Sequence, residues 1–309
     1  MPHHSTYRRI LLDCIEANEM EELMSEFLTN QAVIGRNTVI VIYGKTVIGT
    51  IANEGERGTH LLAAYLPEEG IVLAEVALDC NENEITIAPR VLKNLDLRQK
   101  VVIGDAMYTQ RALSIQIVSA GGDYVWLVKD NQQRLRWDLE KLFEANEPIP
   151  GLASLPDDFC FSRTIDKRHG RLEEQWITVS SMLRDYVDWP NLEQVFKLER
   201  HVTNIKTGKV KEEEVYGITS ISREKANPKY LLKIVRMEWG IENVLHYRRD
   251  VTLKEYATRL TKSKAGYIMA IINNLILGLL AINGYRNVAS ARRYFDANPM
   301  DAFALISRL

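Results

Sequence analysis

The sequence predicts an α/β fold, and the order of its apolar segments indicates this class. Three short runs of β-branched and apolar residues follow one another at residues 38–43, 60–66 and 71–78, as expected for three consecutive strands. Apolar residues at helical spacing then alternate with two further short apolar runs. The predicted order is three strands in an antiparallel meander, followed by helix, strand, helix and strand.

The second half of this pattern is defined by periodicity and by glycines. Helices are predicted at residues 84–95 and 107–119, and strands at residues 100–104 and 124–128. The glycine pair at residues 121–122 ends the second helix. A meander followed by helix–strand units matches a ribonuclease-H-like core, in which a mixed sheet is flanked by helices.

The rest of the chain divides by its pattern into an insertion and a helical end. Residues 35–130 hold the first part of the predicted core. Prolines and alternating runs such as residues 194–199 predict that residues 131–228 form a β-rich insertion. Helical periodicity returns in residues 229–309, which are predicted to complete the core.

Composition restricts the class of protein. With 309 residues, 46% of them hydrophobic and 26% charged, the chain is expected to be globular. Its three cysteines are far apart and form no CxxC pair, which argues against a disulfide framework or a zinc site and favours a reducing compartment. Residues 267–282 are apolar but shorter than the roughly 20 residues that a bilayer requires, so they predict a core helix and no membrane association.

The charge distribution argues for a local attraction to nucleic acid. The formal net charge is −2, so the molecule as a whole does not attract a polyanion. Residues 229–264, however, carry nine Lys or Arg against four Asp or Glu. A solvated helix face and a surface for DNA phosphates are the two interpretations of this run.

Two carboxylates stand where phosphoryl-transfer chemistry would use them. Asp105 directly follows the strand at residues 100–104, and Glu242 lies at helical spacing from Trp239 and His246. Two metal ions about 3.5–4 Å apart need acidic ligands from several elements. Two alternatives involve no metal ion. Asp105 could cap a helix N-terminus, and Glu242 could form a surface salt bridge.

Five motifs occur in the order and spacing of a known family. They are CNENEI from Cys80, GDAMYTQ from Gly104, GGDYVWLVKDNQQRL from Gly121, HGR from His169 and EWGIENVLHYRRDVTLKE from Glu238. With these motifs the sequence resembles the DDE-type insertion-sequence transposases, in the branch that includes the H-repeat-associated proteins. The resemblance runs from about residue 5 to residue 280, which is nearly the whole chain.

This resemblance implies a ribonuclease-H-like core, interrupted by a β-rich insertion, that cleaves and joins DNA strands. The family uses an Asp-Asp-Glu triad with two Mg²⁺ ions, and Asp105 and Glu242 match the second Asp and the Glu, so both are expected metal ligands. The expected partner is double-stranded DNA at insertion-sequence ends and targets, bound by a homodimer in a synaptic complex. The expected location is the bacterial cytoplasm, at the nucleoid when the protein is bound to DNA.

The first catalytic Asp of the family is missing. The family motif resembles Ile-Asp-Gly-Lys-Thr, whereas residues 42–46 read IYGKT, so Tyr43 stands in place of the ligand. A phenol with a pKa near 10 binds Mg²⁺ poorly at neutral pH and fills the space of a bridging carboxylate. Cleavage is therefore expected to be lost or impaired, unless Asp79, Glu82 or Glu84 replaces the ligand.

The N-terminus is a second departure from the family. Related sequences carry further helical segments before the point where the resemblance begins. Residues 1–34 are therefore expected to be the remnant of an N-terminal helical segment, and recognition of DNA ends is expected to be weakened.

A further set of residues is expected from the resemblance and the local charge to contact DNA: Lys45, Lys129, Asn131, Gln132, Arg236, Trp239, His246, Arg249 and Lys254. The two amides could instead cap a loop, Trp239 could anchor the core, and His246 could be a buried structural histidine. The HGR motif at residues 169–171 suggests either a DNA contact or a local turn.

Three functions therefore compete. The first is a transposase that cleaves and transfers DNA strands by two-metal phosphoryl transfer. The second is a catalytically dead DNA-binding protein, either a relic or a regulator of a mobile element. The third is a remnant without affinity for DNA. Tyr43 favours loss of catalysis.

Overall fold

The computed structural model describes residues 3–51, 58–79, 81–145, 158–168, 170–258, 260–261 and 263–307. Cys80 and His169, which belong to two of the motifs, lie outside these residues. The chain forms two units, one made of Met1–Leu95 and Trp239–Leu309 and the other of Asp96–Glu238. Both contain strands and helices, and the mixed α/β fold expected from the sequence is confirmed.

The described strands and helices follow the chain in a simple order. The strands are β1 (Val39–Val47), β2 (Thr59–Leu66), β3 (Ile71–Ala77), β4 (Val101–Gly104), β5 (Asp123–Val128), β6 (Cys160–Arg168), β7 (Arg171–Ser180), β8 (Gln194–Asn204) and β9 (Val210–Thr219). The helices are α1 (His4–Arg9), α2 (Ala17–Gln31), α3 (Glu84–Lys93), α4 (Arg111–Ser119), α5 (Gln133–Ala145), α6 (Pro228–Trp239), α7 (Ser263–Ile282), α8 (Val288–Ala297) and α9 (Pro299–Ile306).

The first unit is built on an antiparallel meander of β1, β2 and β3. Tyr43 of β1 pairs with Ala63 of β2, and Leu61 of β2 pairs with Ala77 of β3. Helices α2 and α7 pack against β3, and α3 packs against β2. Most side chains of the three strands are buried, which explains why their sequences are almost continuously apolar.

Helix α7 lies in the core of the first unit. Its Ala270 and Ile271 pack with Val47 of β1. Among the described residues one segment, Lys264–Ile282, is long and apolar enough to span a bilayer, and 67% of its apolar window is buried inside the fold. Core helices of globular proteins pass the same test, so this segment is weak evidence for a membrane span.

The second unit contains a mixed sheet in the order β4-β5-β9-β8-β7-β6. Strands β4 and β5 are parallel, with Gly104 beside Trp126, whereas β5 and β9 are antiparallel, with Val125 opposite Thr219. The other neighbours are also antiparallel. The inserted strands therefore extend the sheet of β4 and β5 through β9.

The insertion contains a helix, α5, where the sequence predicts mainly strands. Helix α5 buries Leu135, Leu139 and Phe143, which recur every fourth residue. Phe143 packs against Phe159 and Tyr216. This helix therefore joins the hydrophobic core of the second unit, in a region expected to be mostly β.

The helix predicted from residue 107 begins later than expected. Residues Ala106–Tyr108 form a 3₁₀ turn, and α4 starts only at Arg111. Between them, the Thr109 hydroxyl donates a hydrogen bond to the Leu127 carbonyl oxygen at 2.6 Å. This side-chain bond competes with helix formation and holds the turn after β4 against β5.

The helical segment predicted at the start of residues 229–309 changes its geometry midway. Helix α6 ends at Trp239, and the chain continues as two π-helical turns at Glu242–His246 and Arg248–Thr252. A π turn holds more residues than an α turn and therefore rotates the following side chains around the helix axis. The directions of Glu242 and the arginines after it thus differ from those in a straight α-helix.

Glu21 of α2 is a half-buried carboxyl group in the first unit. Its Oε1 accepts a hydrogen bond from the Glu75 backbone N–H at 2.9 Å. Burial raises the pKa of Glu21 from 4.5 to about 7, and the Glu75 carboxylate adds to this effect. The folded protein therefore retains a proton that the unfolded chain releases between these two pH values.

The free energy of unfolding is expected to fall as pH rises from 4.5 to about 7, because the unfolded state loses the Glu21 proton first. The change in the free energy of unfolding is at most about 3 kcal/mol, and solvent screening makes it smaller because Glu21 is only half-buried. Glu21→Gln should remove most of it, whereas the exposed neighbour change Glu22→Gln should not. Urea unfolding across this pH range measures the slope, and an unchanged slope in Glu21→Gln would contradict the assignment.

Candidate active site

Tyr43 lies in the middle of β1, and its side chain is enclosed. The residue is 7% exposed, and its ring makes edge-on contacts with the rings of His246 at 5.1 Å and Tyr65 at 6.4 Å. Its hydroxyl has no hydrogen-bond partner within the part of the chain that the structure describes. Burial raises the pKa of Tyr43 well above its ordinary value of 10, although the Arg249 cation opposes this. Tyr43 is therefore a neutral phenol at physiological pH.

Arg249 is the main buried charge beside Tyr43. Its side chain is 0% exposed, and Nη1 donates to Glu75 Oε2 at 2.5 Å. Nη2 donates to Glu255 Oε1 at 2.8 Å, and Nη1 also reaches Asn274 Oδ1 at 3.3 Å. Burial alone would lower the pKa of Arg249, but the two carboxylates raise it well above its ordinary value. The expected DNA contact of Arg249 is therefore wrong, because its guanidinium lies in the core.

Lys45 belongs to the same group of charges. It lies two residues after Tyr43 on β1, and both side chains therefore point to the same face of the sheet. Its Nζ is 2.7 Å from Asp250 Oδ1 and 3.7 Å from Glu255 Oε2, and its side chain is 6% exposed. Burial raises the pKa of Glu255, but Arg249 and, more weakly, Lys45 hold it below its ordinary value. Lys45 is thus engaged inside the unit, and its expected contact with DNA is also wrong.

Glu242 and His246 face each other across the first π turn. His246 Nδ1 lies 3.0 Å from Glu242 Oε2, with side-chain exposures of 10% and 77%. Burial lowers the pKa of His246, although Glu242 opposes this, so the imidazole is mainly neutral at pH 7. His246 Nε2 is buried without a hydrogen-bond partner among the described residues. The Glu242 carboxylate is therefore accessible, while the histidine that orients it is enclosed.

Asp105 belongs to the second unit, at the carboxyl end of β4. One oxygen, Oδ1, accepts hydrogen bonds from the Ala106 backbone N–H at 2.7 Å and from Lys129 Nζ at 2.9 Å. The side chains of Asp105 and Lys129 are 53% and 56% exposed. Asn131 Nδ2 donates to the Ala106 carbonyl oxygen at 2.7 Å, and Gln132 Nε2 donates to a carbonyl oxygen in the same loop. Both amides cap this loop, as the alternative interpretation predicted, and they hold Asp105 in place.

The remaining predicted contacts differ in their accessibility. Arg236 donates to Thr164 Oγ1 at 3.1 Å and forms an ion pair with Asp166, both on β6. Trp239 is half-buried at the end of α6. Lys254 is exposed and has a left-handed backbone conformation with φ of 59°. Of these three, Lys254 presents its side chain most openly to solvent.

The residues around Tyr43 do not fit a Mg²⁺ ion. Mg²⁺ requires oxygen ligands in near-octahedral geometry, usually with one or two carboxylates. Tyr43 is neutral, and Glu75 and Glu255 are held by Arg249. Two buried cations in the same region would also repel a divalent ion. Nowhere in the described ranges do three or more His, Cys, Asp or Glu residues form a group that could hold a metal ion.

The acids named as replacements for the first ligand are placed elsewhere. Glu84 lies over Gly44, where an added Cβ would be 2.0 Å from its Oε1, and it contacts His60 Nε2 at 2.7 Å. Successive residues of a strand point to opposite faces, so Glu84 is on the face of β1 opposite Tyr43. Glu82 pairs with an arginine at 3.3 Å, and Asp79 is exposed.

Sequence reasoning missed the carboxylates that neutralise Arg249. Glu75 interrupts an otherwise apolar strand, and Asn273 and Asn274 interrupt an apolar helix. Because a polar group enclosed in a core needs a partner, these interruptions indicated a buried polar network. They do not indicate that its cation is Arg249, which is 174 residues from Glu75 in sequence.

The family follows from comparison with known proteins. Residues 43–279 match the profile described as the Transposase DDE domain, which covers most of the chain and begins at Tyr43. The chain therefore belongs to the DDE transposase family, and the resemblance inferred from its motifs is confirmed. This family is one of polynucleotidyl transferases, enzymes that cleave and join nucleic acid strands.

Three curated relatives from Escherichia coli match most of this chain. The protein named "H repeat-associated putative transposase YhhI" from strain K12 is 28% identical over 100% of this chain and 81% of its own length. "Putative protein YbfL" from the same strain is also 28% identical, with the same coverage. "Putative transposase YncI" from strain O157:H7 is 27% identical over 91% of this chain and 71% of its own length.

One solved structure matches most of this chain at low sequence identity. A piggyBac transposase synaptic complex with hairpin DNA matches 94% of this chain and 56% of its own, with 10% identity and a TM-score of 0.47. The family assignment rests on the profile match and not on this structure.

Tyr43→Phe is expected to leave the free energy of unfolding unchanged or to raise it by about 1 kcal/mol, because the removed hydroxyl has no partner among the described residues. Tyr124→Phe is the matched control. Tyr124 is also buried, but its hydroxyl donates to the Pro190 carbonyl oxygen at 2.7 Å, and its loss should cost about 1 kcal/mol. Urea unfolding compares the two, and a larger loss for Tyr43→Phe would show that its hydroxyl is hydrogen-bonded.

Proposed function

We propose that this chain is a DNA-binding member of the DDE transposase family whose strand-cleaving site is disabled at Tyr43. One observation carries the proposal: the residue at the position of the first catalytic Asp is a buried, neutral phenol beside a buried arginine. The proposal rests on the motif alignment for the identity of that position and on the contacts of Tyr43 for its chemistry.

The lost function is in-line attack on a phosphodiester by water or by a 3′-hydroxyl. In the family, two Mg²⁺ ions are expected to supply the charge stabilisation for this step. A ligand at the end of the first strand would have to be an anion, and Tyr43 cannot ionise at physiological pH. The nearby Glu75 and Glu255 cannot substitute for it, since both neutralise Arg249.

Asp105 and Glu242 are proposed as the retained members of the triad. Both carboxylates are more than half exposed, and each is oriented by one neighbouring side chain, Lys129 or His246. Exposed carboxylates with fixed orientation are suitable for metal ligands or for contacts with a substrate. Their survival beside a lost third ligand supports descent from an active enzyme.

Binding to double-stranded DNA is proposed through the accessible cations of the set expected to contact DNA. Lys129 and Lys254 are the cations of the expected set with the most open side chains, and Arg236 is half-buried against β6. Lys45 and Arg249 are excluded because they are buried in ion pairs. A homodimer assembled on DNA ends is proposed by analogy with the family alone.

The proposal predicts the result of a plasmid-nicking assay with Mg²⁺ or Mn²⁺. The unchanged chain and the neutral variant Tyr43→Asn should not nick supercoiled DNA, whereas Tyr43→Asp should nick it. If the missing ligand is worth ~3 kcal/mol of transition-state stabilisation, the difference is roughly a hundredfold. Asn and Asp are nearly equal in size, so the comparison isolates the charge.

Two further variants separate the outcomes. Asp105→Ala in the Tyr43→Asp background should abolish the restored nicking, and urea unfolding should show that all variants are folded. If the unchanged chain nicks DNA and Asp105→Ala abolishes this nicking, the proposal is contradicted, since another group would then complete the site. Nicking that survives Asp105→Ala would indicate a contaminating nuclease.

A further inference from the structure

Two β-hairpins of the second unit end side by side. Strands β6 and β7 are joined through Gly170, and β8 and β9 through Gly208, both with positive φ of 72° and 68°. Arg171 of β7 pairs with Asn204 of β8, and the Ile205 backbone N–H donates to the Gly170 carbonyl oxygen at 2.9 Å. The two tips are therefore held together at the same ends of the four strands β6–β9, and we call this side of the sheet the tip edge.

This edge carries a group of basic side chains, which we call the hairpin-tip cluster: Lys167, Arg168, Arg171, Lys206, Lys209 and Lys211. All of them are exposed. No acidic residue occurs in residues 167–171 or 204–211, and none of the six cations has an ion pair within the described part of the chain.

The neighbouring acids do not neutralise the cluster. Asp166, which precedes it on β6, is paired with Arg236. Glu173, the first acid on β7, is paired with Arg200 at 2.7 Å. Three acids follow Lys211 on β9, of which Glu213 is paired with Arg200 and Glu214 with Lys197, which leaves Glu212 as one carboxylate beside six cations.

Such a cluster is unexpected from the composition of the chain. The formal net charge is −2, and the other described cations of the insertion mostly stand beside carboxylates. Like charges that are close together repel one another and destabilise a free protein slightly. A bound polyanion removes this repulsion. The binding also releases the counterions that were condensed on the polyanion.

The dimensions and composition of the edge fit duplex DNA. Four neighbouring strands span about 14 Å at a strand spacing of about 4.8 Å. The major groove of B-DNA is about 12 Å wide, so four strands are too wide to enter it as a two-stranded ribbon does, and the edge instead spans the groove from one row of phosphates to the other. Residues 167–171 and 204–211 contain no Phe, Tyr or Trp that could stack on the bases of a single strand.

We propose that the hairpin-tip cluster binds the phosphate backbone of double-stranded DNA without sequence preference. This inference rests on the proposed DNA binding of the chain and assigns part of it to the insertion, separately from the basic helical segment at residues 229–264. The exposed lysine and arginine side chains of the tips supply donors for phosphate oxygens, and contacts of this kind position the duplex without reading its sequence.

The test measures binding of the full chain to a fluorescent duplex of arbitrary sequence over a series of salt concentrations. Substitution of three cluster residues, Lys206→Gln, Lys209→Gln and Lys211→Gln, should weaken binding at least tenfold at low salt. Each phosphate contact contributes about 0.9 to the slope of log affinity against log salt, so the slope should fall by about 2 to 3. Lys167→Gln, Arg168→Gln and Arg171→Gln should have a similar effect.

The matched control removes the same charge from the same unit at positions where each cation stands beside a carboxylate. It combines Lys141→Gln, Arg184→Gln and Lys225→Gln, which pair with Glu144, Glu193 and Asp123. This variant should bind nearly as tightly as the unchanged chain. Urea unfolding should be the same for the control and the tip variants, since all the altered side chains are exposed.

Four results would overturn the inference. Equal losses in the control and tip variants would indicate a net-charge effect, and unchanged binding in the tip variants would place the DNA elsewhere while leaving the proposed function intact. If single-stranded DNA or polyglutamate competes for binding as well as duplex DNA does, duplex DNA is not the specific partner. An unchanged chain that binds no duplex at any salt concentration would overturn the proposed DNA binding as well.

Discussion

The buried ion network of Arg249 is the constraint on which the structure of the first unit depends. Its guanidinium joins Glu75 of β3, Glu255 after the second π turn and Asn274 of α7, so one side chain links three elements of the core. Removing the guanidinium alone would leave two carboxylates buried without a counterion, at a cost of about 3–5 kcal/mol. The network therefore fixes how the segment after Glu242 packs against the meander, and it defines the surroundings of Tyr43.

The chemistry of the site follows from this arrangement. Carboxylates enclosed in a protein are stable only with a cation, and here that cation belongs to the protein itself. Tyr43 fills the space between the network and His246 with an aromatic ring, which needs no counterion. The buried charges around Tyr43 are thus neutralised by side chains of the same unit, whereas the carboxylates of Asp105 and Glu242 are both accessible to solvent.

Much of the fold could be predicted from the sequence because each strand and helix has its own apolar period. Such periods predict the meander and the β4–α4–β5 segment, whereas Asp105, Glu242 and Tyr43 are proposed as site residues from motifs. Helix α5 was missed because prolines and alternating runs dominated the interpretation of the insertion. Counting charges in residues 229–264 could not show that Arg249 is buried, since burial depends on partners far away in sequence. The π turns after α6 also escape a pattern analysis, which assumes regular helical spacing.

Calorimetric titration of the unchanged chain and of Tyr43→Asp with Mn²⁺ shows whether the phenol has removed the metal site. If a neutral phenol occupies the position of the first catalytic Asp, the chain has no two-metal site. We expect no saturable binding to the unchanged chain, and saturable binding to Tyr43→Asp that is lost on Asp105→Ala. Saturable binding of Mn²⁺ to the unchanged chain, abolished by Asp105→Ala, would contradict this expectation.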